Sequence, residues 1–248
     1  IARDATFDQW FPAQAKVAEW MGDTKVRRLK THLIDHKQIQ EIHSKMEPGD
    51  VIVARHNWYL SNVGLPGFWP HAELYVGDAE QLRAYFEDDA VKTLFKGNFA
   101  DHLQKTYPDA WKAYINREHG EPRRIVEALS EGVVFSTLSH GIGCDYVGVL
   151  RPRRDKRAKA QAIDRAFGHF GKPYDFNFDF LTDETIVCTE LVYKSWLPDE
   201  DKQGLPLELT EVMGRKTLPA NNIVQQFDAT FGTPDQYLDF VTFYDGVE

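Results

Sequence analysis

Apolar residues recur at every third or fourth position in two long segments of the chain, and this spacing predicts two amphipathic helices. The first segment covers residues 26–46 and stops at Pro48. The second covers residues 156–170 and is followed by Gly171, a residue type that commonly closes helices. A shorter pattern of the same period begins just after Cys188, so this cysteine is predicted to lie at a helix N-terminus.

Other segments are typical of β-strands, because runs or alternations of apolar residues are bounded by turn-forming ones. They are predicted at residues 51–54, 71–77, 124–129, 146–151 and 240–244. In the second of them, alternate side chains point to opposite faces of a sheet. One face is therefore predicted to be core, whereas the other, which carries His71, could line a site.

The remaining segments indicate how these elements are organised. Residues 80–122 are rich in charged and aromatic side chains, which predicts a partly helical insertion, and the chain after residue 205 is predicted to be irregular up to its last strand. Strands dominate the middle and helices flank them, so the predicted fold class is α+β. We expect an N-terminal helical extension over residues 1–46 and one domain over residues 47–248.

The composition limits the classes of function. The 248 residues are 42% hydrophobic, which is enough for a substantial core, and the formal net charge is −9. A nucleic-acid-binding protein usually carries the opposite sign of charge, so that class is not expected. The local basic run at residues 151–157 is interpreted as a solvated junction between a strand and a helix.

The chain has only two cysteines, Cys144 and Cys188, which excludes a disulfide-rich scaffold and a four-cysteine zinc site. A bridge between them is formally allowed, but Cys144 lies in a turn of small residues and is expected to be buried and inert. Cys188 is expected to be free. At a helix N-terminus, unpaired backbone N–H groups and the helix dipole favour its thiolate, although a lone cysteine there is more often a small buried hydrophobe.

A cysteine hydrolase needs a thiolate, an imidazole, a group that orients the imidazole and donors for an oxyanion. His71 is the candidate base for Cys188. Glu73 lies on the same strand face, about 7 Å along the strand, whereas Glu127 on a neighbouring strand could approach to about 5 Å between Cβ atoms and is preferred. The Tyr174 hydroxyl and the backbone N–H of Cys188 are the candidate oxyanion donors. Each of these side chains also has a purely structural alternative.

Two other groups of side chains are candidates for binding. His32 and His36 lie four residues apart on the first predicted helix and could present two metal ligands on one face. No third ligand is placed by the sequence, so neither a metal nor a cofactor is predicted. An apolar substrate site beside the candidate base could be lined by aromatic residues, with core packing as an equal alternative. These aromatic residues are Trp58, Tyr59, Phe68 and Trp69.

Six motifs occur in a fixed order along the chain: P-G-D-V-I-V-A-R, S-N-V-G-L-P-G-F-W-P-H-A-E-L-Y-V-G, V-E-A-L-S-E-G-V, V-L-R-P, G-K-P-Y-D-F and V-C-T-E-L-V-Y. Together they resemble the YiiX-like and YebB-like branch of the NlpC superfamily, the circularly permuted papain-fold amidases. In that branch the histidine strand precedes the cysteine helix, as it does here. The resemblance covers residues 48–197, is weaker up to residue 227 and does not extend to residues 1–46.

This resemblance implies a fold and a set of roles. The fold would be a permuted papain-like, NlpC-type domain, in which a cysteine-bearing helix packs against an antiparallel sheet. Cys188 would be the nucleophile, His71 the base, Glu127 the third member and Tyr174 an active-site tyrosine. The family usually brings its third polar residue soon after the histidine strand, whereas residues 80–122 intervene here before Glu127.

The leading hypothesis for function is a cysteine hydrolase of the peptidase or amidase type. It would cleave an amide bond in a peptide, a cell-wall fragment or an N-acyl compound through an acyl-thioester on Cys188. A first alternative keeps the site but acts on lipid acyl chains as an acyltransferase or thioesterase, because the fold is similar to that of lecithin retinol acyltransferase. A second alternative is a catalytically silent binding protein, since a fold does not guarantee activity.

The expected partners are therefore small substrates, with contact to a membrane surface or a lipid under the first alternative. No apolar run approaches the length of a membrane span. The chain starts at Ile1 rather than Met, so it is interpreted as processed or truncated, and a removed signal peptide would be invisible. We expect a bacterial envelope or periplasm if a leader was removed and the cytoplasm otherwise. The sequence does not indicate an oligomeric state.

Overall fold

The computed structural model describes residues 32–57, 67–175, 185–198, 203–212 and 214–246. Within these ranges the helices are α1 (His36–His43), α2 (Ala79–Tyr85), α3 (Asp89–Phe95), α4 (Phe99–Thr106), α5 (Pro108–Ile115), α6 (Leu138–Gly141), α7 (Lys156–Gly168), α8 (Cys188–Ser195) and α9 (Ala220–Thr230). The strands are β1 (Val51–Arg55), β2 (His71–Tyr75), β3 (Arg117–Glu118), β4 (Glu121–Leu129), β5 (Gly132–Thr137), β6 (Tyr146–Pro152), β7 (Thr210–Val212), β8 (Arg215–Thr217) and β9 (Leu238–Asp245).

Seven of these strands form one antiparallel sheet in the order β3-β4-β2-β1-β6-β9, with β5 paired to β4. Strand β1 lies in its middle and pairs with β2 and β6, so that Val53 faces Ala72 on one side and Gly148 on the other. Each strand predicted from the apolar pattern is present in this sheet. The predicted antiparallel α+β fold is thus confirmed, and β5 is an additional strand that was not predicted from the sequence.

Both faces of the sheet are covered, and the alternation along each strand decides which side chain enters which cluster. On β2, Ala72 and Leu74 join the larger hydrophobic cluster with Ile163 of α7 and Leu191 of α8. Tyr75 joins the other cluster, which α1 completes from the opposite side. The second face of β2 is therefore closed over most of its length, and only its His71 end can be part of an accessible site.

Helix α1 is shorter than the apolar spacing predicts. It begins at His36 because the Asp35 side chain accepts a hydrogen bond from the Gln38 backbone at 2.8 Å, while the Gln38 side chain accepts one from the Asp35 N–H at 2.9 Å. The helix predicted over residues 26–46 is therefore wrong for residues 32–35 and after His43, and residues 26–31 lie outside the described ranges.

The placement of α1 also removes the predicted pair of metal ligands. His32 precedes the helix, and its ring nitrogen Nδ1 donates to the carbonyl of Ile34 at 2.5 Å. His36 lies in the first turn of α1. Since only one of the two residues is helical, the expectation that they share a helix face is wrong.

Helices α2 to α5 occupy most of the region predicted as an insertion between the histidine strand and β4. Asp78, Asp88 and Asn98 precede the first three of these helices and cap them through side-chain oxygens, and Pro108 takes the first helical position of α5. Their apolar faces join the core cluster formed by α7 and α8. The division of the chain into an extension, a domain and an insertion stays a prediction.

The tail after residue 205 is more regular than predicted. It contains α9 and the two-stranded sheet of β7 and β8. Ala220 and Ile223 are buried on the inner side of α9, and their spacing is helical. The prediction of an irregular tail is therefore wrong, whereas its last strand is present as β9. In the described ranges, no helix combines the length and the apolar composition that crossing a bilayer requires.

Arg151 is held in a network of charges that ties β6 to the loop before β1. Its guanidinium donates to the fully buried Asp50 carboxylate at 2.9 and 2.8 Å and to Glu47 at 2.9 Å. Lys159 and Tyr85 donate to the other Glu47 oxygen at 3.0 and 2.8 Å. The interpretation of residues 151–157 as a solvated junction is therefore wrong for Arg151.

Replacing Arg151 with Met is expected to destabilise the fold by about 3–5 kcal/mol, because it leaves the Asp50 carboxylate buried without its cation. The matched control is Arg153→Met, since Arg153 pairs with Asp239 at 2.7 Å where both side chains are 45% exposed. Such an exposed pair contributes about 0–1 kcal/mol. Urea denaturation of the two variants measures the difference, and equal losses would show that the network is not structural.

Candidate active site

Cys188 is the first residue of α8, as predicted, and is 6% exposed. Val187 precedes it, and the Glu190 side chain accepts a hydrogen bond from the Val187 N–H at 3.1 Å. Glu190 is in turn paired with Lys194 one turn later, at 3.0 Å. These contacts hold the start of the helix, so the cysteine is presented at a defined N-terminus, where backbone N–H groups favour negative charge.

The pairing between β2 and β4 ends close to this helix end. Strands β2 and β4 pair at Leu74 with Val126 and at Tyr75 with Ile125, and the ladder does not continue toward His71. The backbone N–H of Ala72 instead donates to the sulfur of Cys188. The N-terminus of α8 therefore contacts the backbone of β2 near its His71 end.

The structure brings His71 into contact with both of the groups that a cysteine hydrolase requires. Its ring nitrogen Nε2 lies 2.8 Å from Oε2 of Glu127, and the ring makes a second hydrogen bond with Cys188. Because Nε2 faces the carboxylate, the other nitrogen, Nδ1, is the one left for the sulfur. The imidazole is thus held between a thiol and a carboxylate, which is the arrangement of a nucleophile, a base and an orienting group.

Glu73 is the second carboxylate at this site, and it is more distant from the imidazole. Its Oε1 lies 3.5 Å from Nε2 of His71, beyond a good hydrogen bond. Continuing the register of Leu74 with Val126 places Glu127 opposite Glu73 rather than opposite His71. Glu127 therefore reaches the imidazole diagonally, whereas the sequence-based estimate of about 5 Å between Cβ atoms assumed a directly opposite position.

The charges of Cys188 and His71 stabilise each other. Burial raises the pKa of the Cys188 thiol, but the nearby imidazolium and hydrogen bonds from His71, Ala72 and Thr189 outweigh it, so the net pKa is lowered. Burial likewise opposes the charged form of His71, yet the thiolate, Glu127 and Glu73 raise its pKa well above the usual value. The pair therefore favours thiolate and imidazolium over the two neutral forms.

The two carboxylates titrate in opposite directions. Burial disfavours the charge of Glu127, but hydrogen bonding and attraction to His71, followed by His140, lower its net pKa. Burial and the neighbouring charge of Glu127 raise the pKa of Glu73 to about 8. At neutral pH, Glu127 is the ionised partner of His71 and Glu73 carries a proton.

Tyr174 lies beside the segment that leads into Cys188. It forms a parallel bridge with Ile186, with hydrogen bonds from the Ile186 N–H to the Pro173 carbonyl at 3.0 Å and from the Asp175 N–H to the Ile186 carbonyl at 3.2 Å. Burial, and then the charge of the Cys188 thiolate, raise the pKa of the tyrosine well above its usual value. Tyr174 therefore stays a neutral hydroxyl donor close to the sulfur.

The side chains of His71, Glu73 and Glu127 are also of types that bind divalent cations, and their donor atoms lie within 4.8 Å of one another. A tetrahedral zinc with bonds of about 2.0–2.1 Å would need its ligand atoms about 3.3 Å apart. Nε2 of His71 and Oε2 of Glu127 are only 2.8 Å apart. In this geometry the two atoms share a proton, so the arrangement is that of a hydrogen-bonded pair.

The four aromatic candidates comprise one buried residue, one exposed residue and two that lie outside the described ranges. Trp69 is 9% exposed and packs edge-on against Phe68 and Phe243. Phe68 is 43% exposed, and Arg55 lies over its ring. Trp58 and Tyr59 lie outside the described ranges. A substrate-lining role for these aromatic residues stays a prediction.

Cys144 is fully buried, and both cysteines are free thiols. Its Sγ contacts the carbonyl of Tyr146 at 3.1 Å, and burial, followed by the charge of Glu73, raises its pKa far above the usual value. The expectation of a buried Cys144 is therefore confirmed, and a disulfide with Cys188 is absent.

His140 is a further residue of the site that was not predicted from the sequence. This residue lies in α6, and its Nδ1 is 3.8 Å from the second oxygen of Glu127. Ser136 on β5 also hydrogen-bonds to Glu127. The neighbouring Gly141 leaves no room for a side chain, because a Cβ there would lie 2.6 Å from Glu73. The small-residue run G-I-G-C was the signal that a helix packs closely against these carboxylates.

The chain is similar to a known protein family and to a solved structure. The family described as "Permuted papain-like amidase enzyme, YaeF/YiiX, C92 family" matches residues 45–238. Among solved structures, the chain is similar to the crystal structure of metalloprotein yiiX from Escherichia coli O157:H7, with 15% identity and a TM-score of 0.42. That alignment covers 80% of this chain and 89% of the other. No curated protein matches the chain.

Proposed function

The chain belongs to the permuted papain-like amidase family, C92, and from this premise we propose that Cys188, His71 and Glu127 hydrolyse an amide bond through an acyl-thioester. The family makes the protein an enzyme of the cysteine peptidase or amidase type. The observation that carries the assignment of residues is the position of His71, with one ring nitrogen 2.8 Å from Glu127 and a hydrogen bond to Cys188.

In the first half of the reaction, the Cys188 thiolate attacks the amide carbonyl. The backbone N–H of Cys188 and the Tyr174 hydroxyl stabilise the oxyanion that forms, since both lie at the sulfur end of the site. As the C–N bond breaks, the His71 imidazolium gives its proton to the leaving amine, which leaves an acyl-thioester and a neutral imidazole.

In the second half, neutral His71 accepts a proton from water, and the resulting hydroxide attacks the thioester. The carboxylic acid leaves, and the thiolate and imidazolium are restored. Glu127 keeps the imidazole oriented and stabilises its positive charge in both halves, so no net charge is created during a turnover.

We propose peptides, cell-wall fragments or N-acyl compounds as the substrate class. The support for an amide substrate is the family. Paired substrates with the same leaving amine, one a peptide amide and one a fatty-acyl amide, test this proposal. Faster release from the fatty-acyl substrate would favour the lipid alternative.

Iodoacetamide labelling tests the site without a known substrate. Because the pKa of Cys188 is lowered, we expect it to be alkylated at a lower pH than an ordinary thiol, which needs a pH near its pKa of about 8.5. Cys144 is the internal control, because it is buried and its pKa is raised. Peptide mapping by mass spectrometry locates the label. If Cys188 is not labelled in the folded protein, the result contradicts the proposed hydrolase and favours the alternative of a catalytically silent binding protein.

A further inference from the structure

Glu73 is an ionisable group that the proposed mechanism does not use. It is fully buried, and neither carboxyl oxygen has a hydrogen-bond partner among the described residues. Its Oε1 nevertheless points at Nε2 of His71 from 3.5 Å, and the same nitrogen is bonded to Glu127. A buried carboxylate without partners is costly, so its presence beside the imidazole requires an explanation.

Ionisable groups face Glu73 from each neighbouring element. His71 shares its strand, Glu127 lies on β4, Cys188 begins α8, and the charge of Glu73 reaches Cys144 in the turn before β6. His140 of α6 acts on the same cluster through Glu127. With both carboxylates and the thiolate ionised, one imidazolium would face three negative charges. Like charges at this separation cannot all be retained, so one proton has to stay in the cluster.

We propose that Glu73 is a positioning residue of this site: as the neutral acid it leaves Nε2 of His71 to Glu127, and as the carboxylate it competes with Glu127 for that proton. This inference rests on the proposed function. The raised pKa of Glu73, about 8, supports it, because the change of state then falls just above neutral pH.

The sign of the effect follows from the mechanism. Below about pH 8, Glu73 is neutral, and the imidazole stays aligned between Glu127 and Cys188. Above it, a second carboxylate draws the Nε2 proton and stabilises the imidazolium further, so His71 becomes a weaker acid toward the leaving amine. Cys188 remains a thiolate throughout this range, since its pKa is lowered. Hydrolysis therefore falls with rising pH while the nucleophile stays ionised.

The test compares the pH profile of kcat/KM for Glu73→Gln with that of the wild type. If the neutral form of Glu73 is the active one, wild-type hydrolysis falls about tenfold between pH 7 and pH 9, as for a single ionisation near 8. The amide of Gln cannot ionise, so the ratio of its rates at the two pH values should be within about twofold. Glu131→Gln, in an exposed turn, is the matched control and should follow the wild type.

Two results would overturn the proposal. One is a Glu73→Gln profile with the same alkaline fall as the wild type. The other is loss of activity by Glu73→Gln at every pH while Glu127→Gln stays active, because Glu73 would then be the orienting carboxylate itself.

A measurement on the unaltered protein covers the case in which the variant does not fold. Nitrogen-15 NMR of the His71 ring in the wild type should show an inflection of the Nε2 resonance near pH 8, and its absence also contradicts the proposal. This readout is independent of turnover. If iodoacetamide does not label Cys188 but the inflection is present, the proposed hydrolase fails and the placement of Glu73 stands.

Discussion

Cys188→Ala is expected to reduce amide hydrolysis by at least about 10⁴-fold, because without the sulfur there is no acyl-enzyme and the remaining groups can only assist water. The fold should tolerate the change, since Ala is compatible with a helix start packed in the core. Hydrolysis rates measured at pH 7 on protein of verified thermal stability give the result.

The matched control for this variant is Cys144→Ala, which removes the only other thiol of the chain. Cys144 lies in the core cluster on the far side of the sheet, so its loss should affect stability more than hydrolysis. If Cys188→Ala retained activity and Cys144→Ala lost it, Cys188 would not be the nucleophile.

Glu127→Gln is expected to lower kcat by about 10⁴-fold, the scale seen when the carboxylate of a catalytic triad becomes an amide. The hydrogen bond to Nε2 can survive in this variant, but the charge that stabilises the imidazolium is gone. The pKa of His71 should therefore fall, and the thiolate of Cys188 should appear at higher pH. Both the hydrolysis rate and the pH profile of iodoacetamide labelling measure this shift.

Glu118→Gln serves as the control for that prediction. Glu118 lies on β3 at the edge of the same sheet, where its carboxylate is 3.8 Å from Arg123 and 41% exposed. We expect no more than a twofold change in rate. A labelling profile of Glu127→Gln that matches the wild type would mean that this carboxylate does not support the ion pair.

Much of the fold could be predicted because its signals are local. Alternation of apolar residues over 71–77 placed the histidine strand, and the helical period after Cys188 placed the cysteine at a helix start, which β2 and α8 confirm. Errors arose where another local interaction is stronger than the periodicity. Residues 32–35 continue the apolar spacing, but the capping box of Asp35 starts the helix at His36.

The choice between Glu73 and Glu127 shows what the sequence left open. Both residues alternate onto the same face of the sheet, so strand periodicity does not separate them. Their distances from Nε2 of His71, 3.5 and 2.8 Å, depend on how β4 lies against β2. A shift of that register by one residue would turn Glu127 to the other face.

By itself, the sequence determined the elements that carry Cys188 and His71 and their order in the chain, because propensity, periodicity and capping act between residues that are close in sequence. The tertiary structure was needed to show that the β2–β4 pairing ends before His71, that Glu127 meets His71, and that Glu73 is buried with no hydrogen bond to its carboxyl oxygens from the described residues. The physical reason is that hydrogen-bond geometry and desolvation depend on contacts between distant segments, which no local pattern specifies.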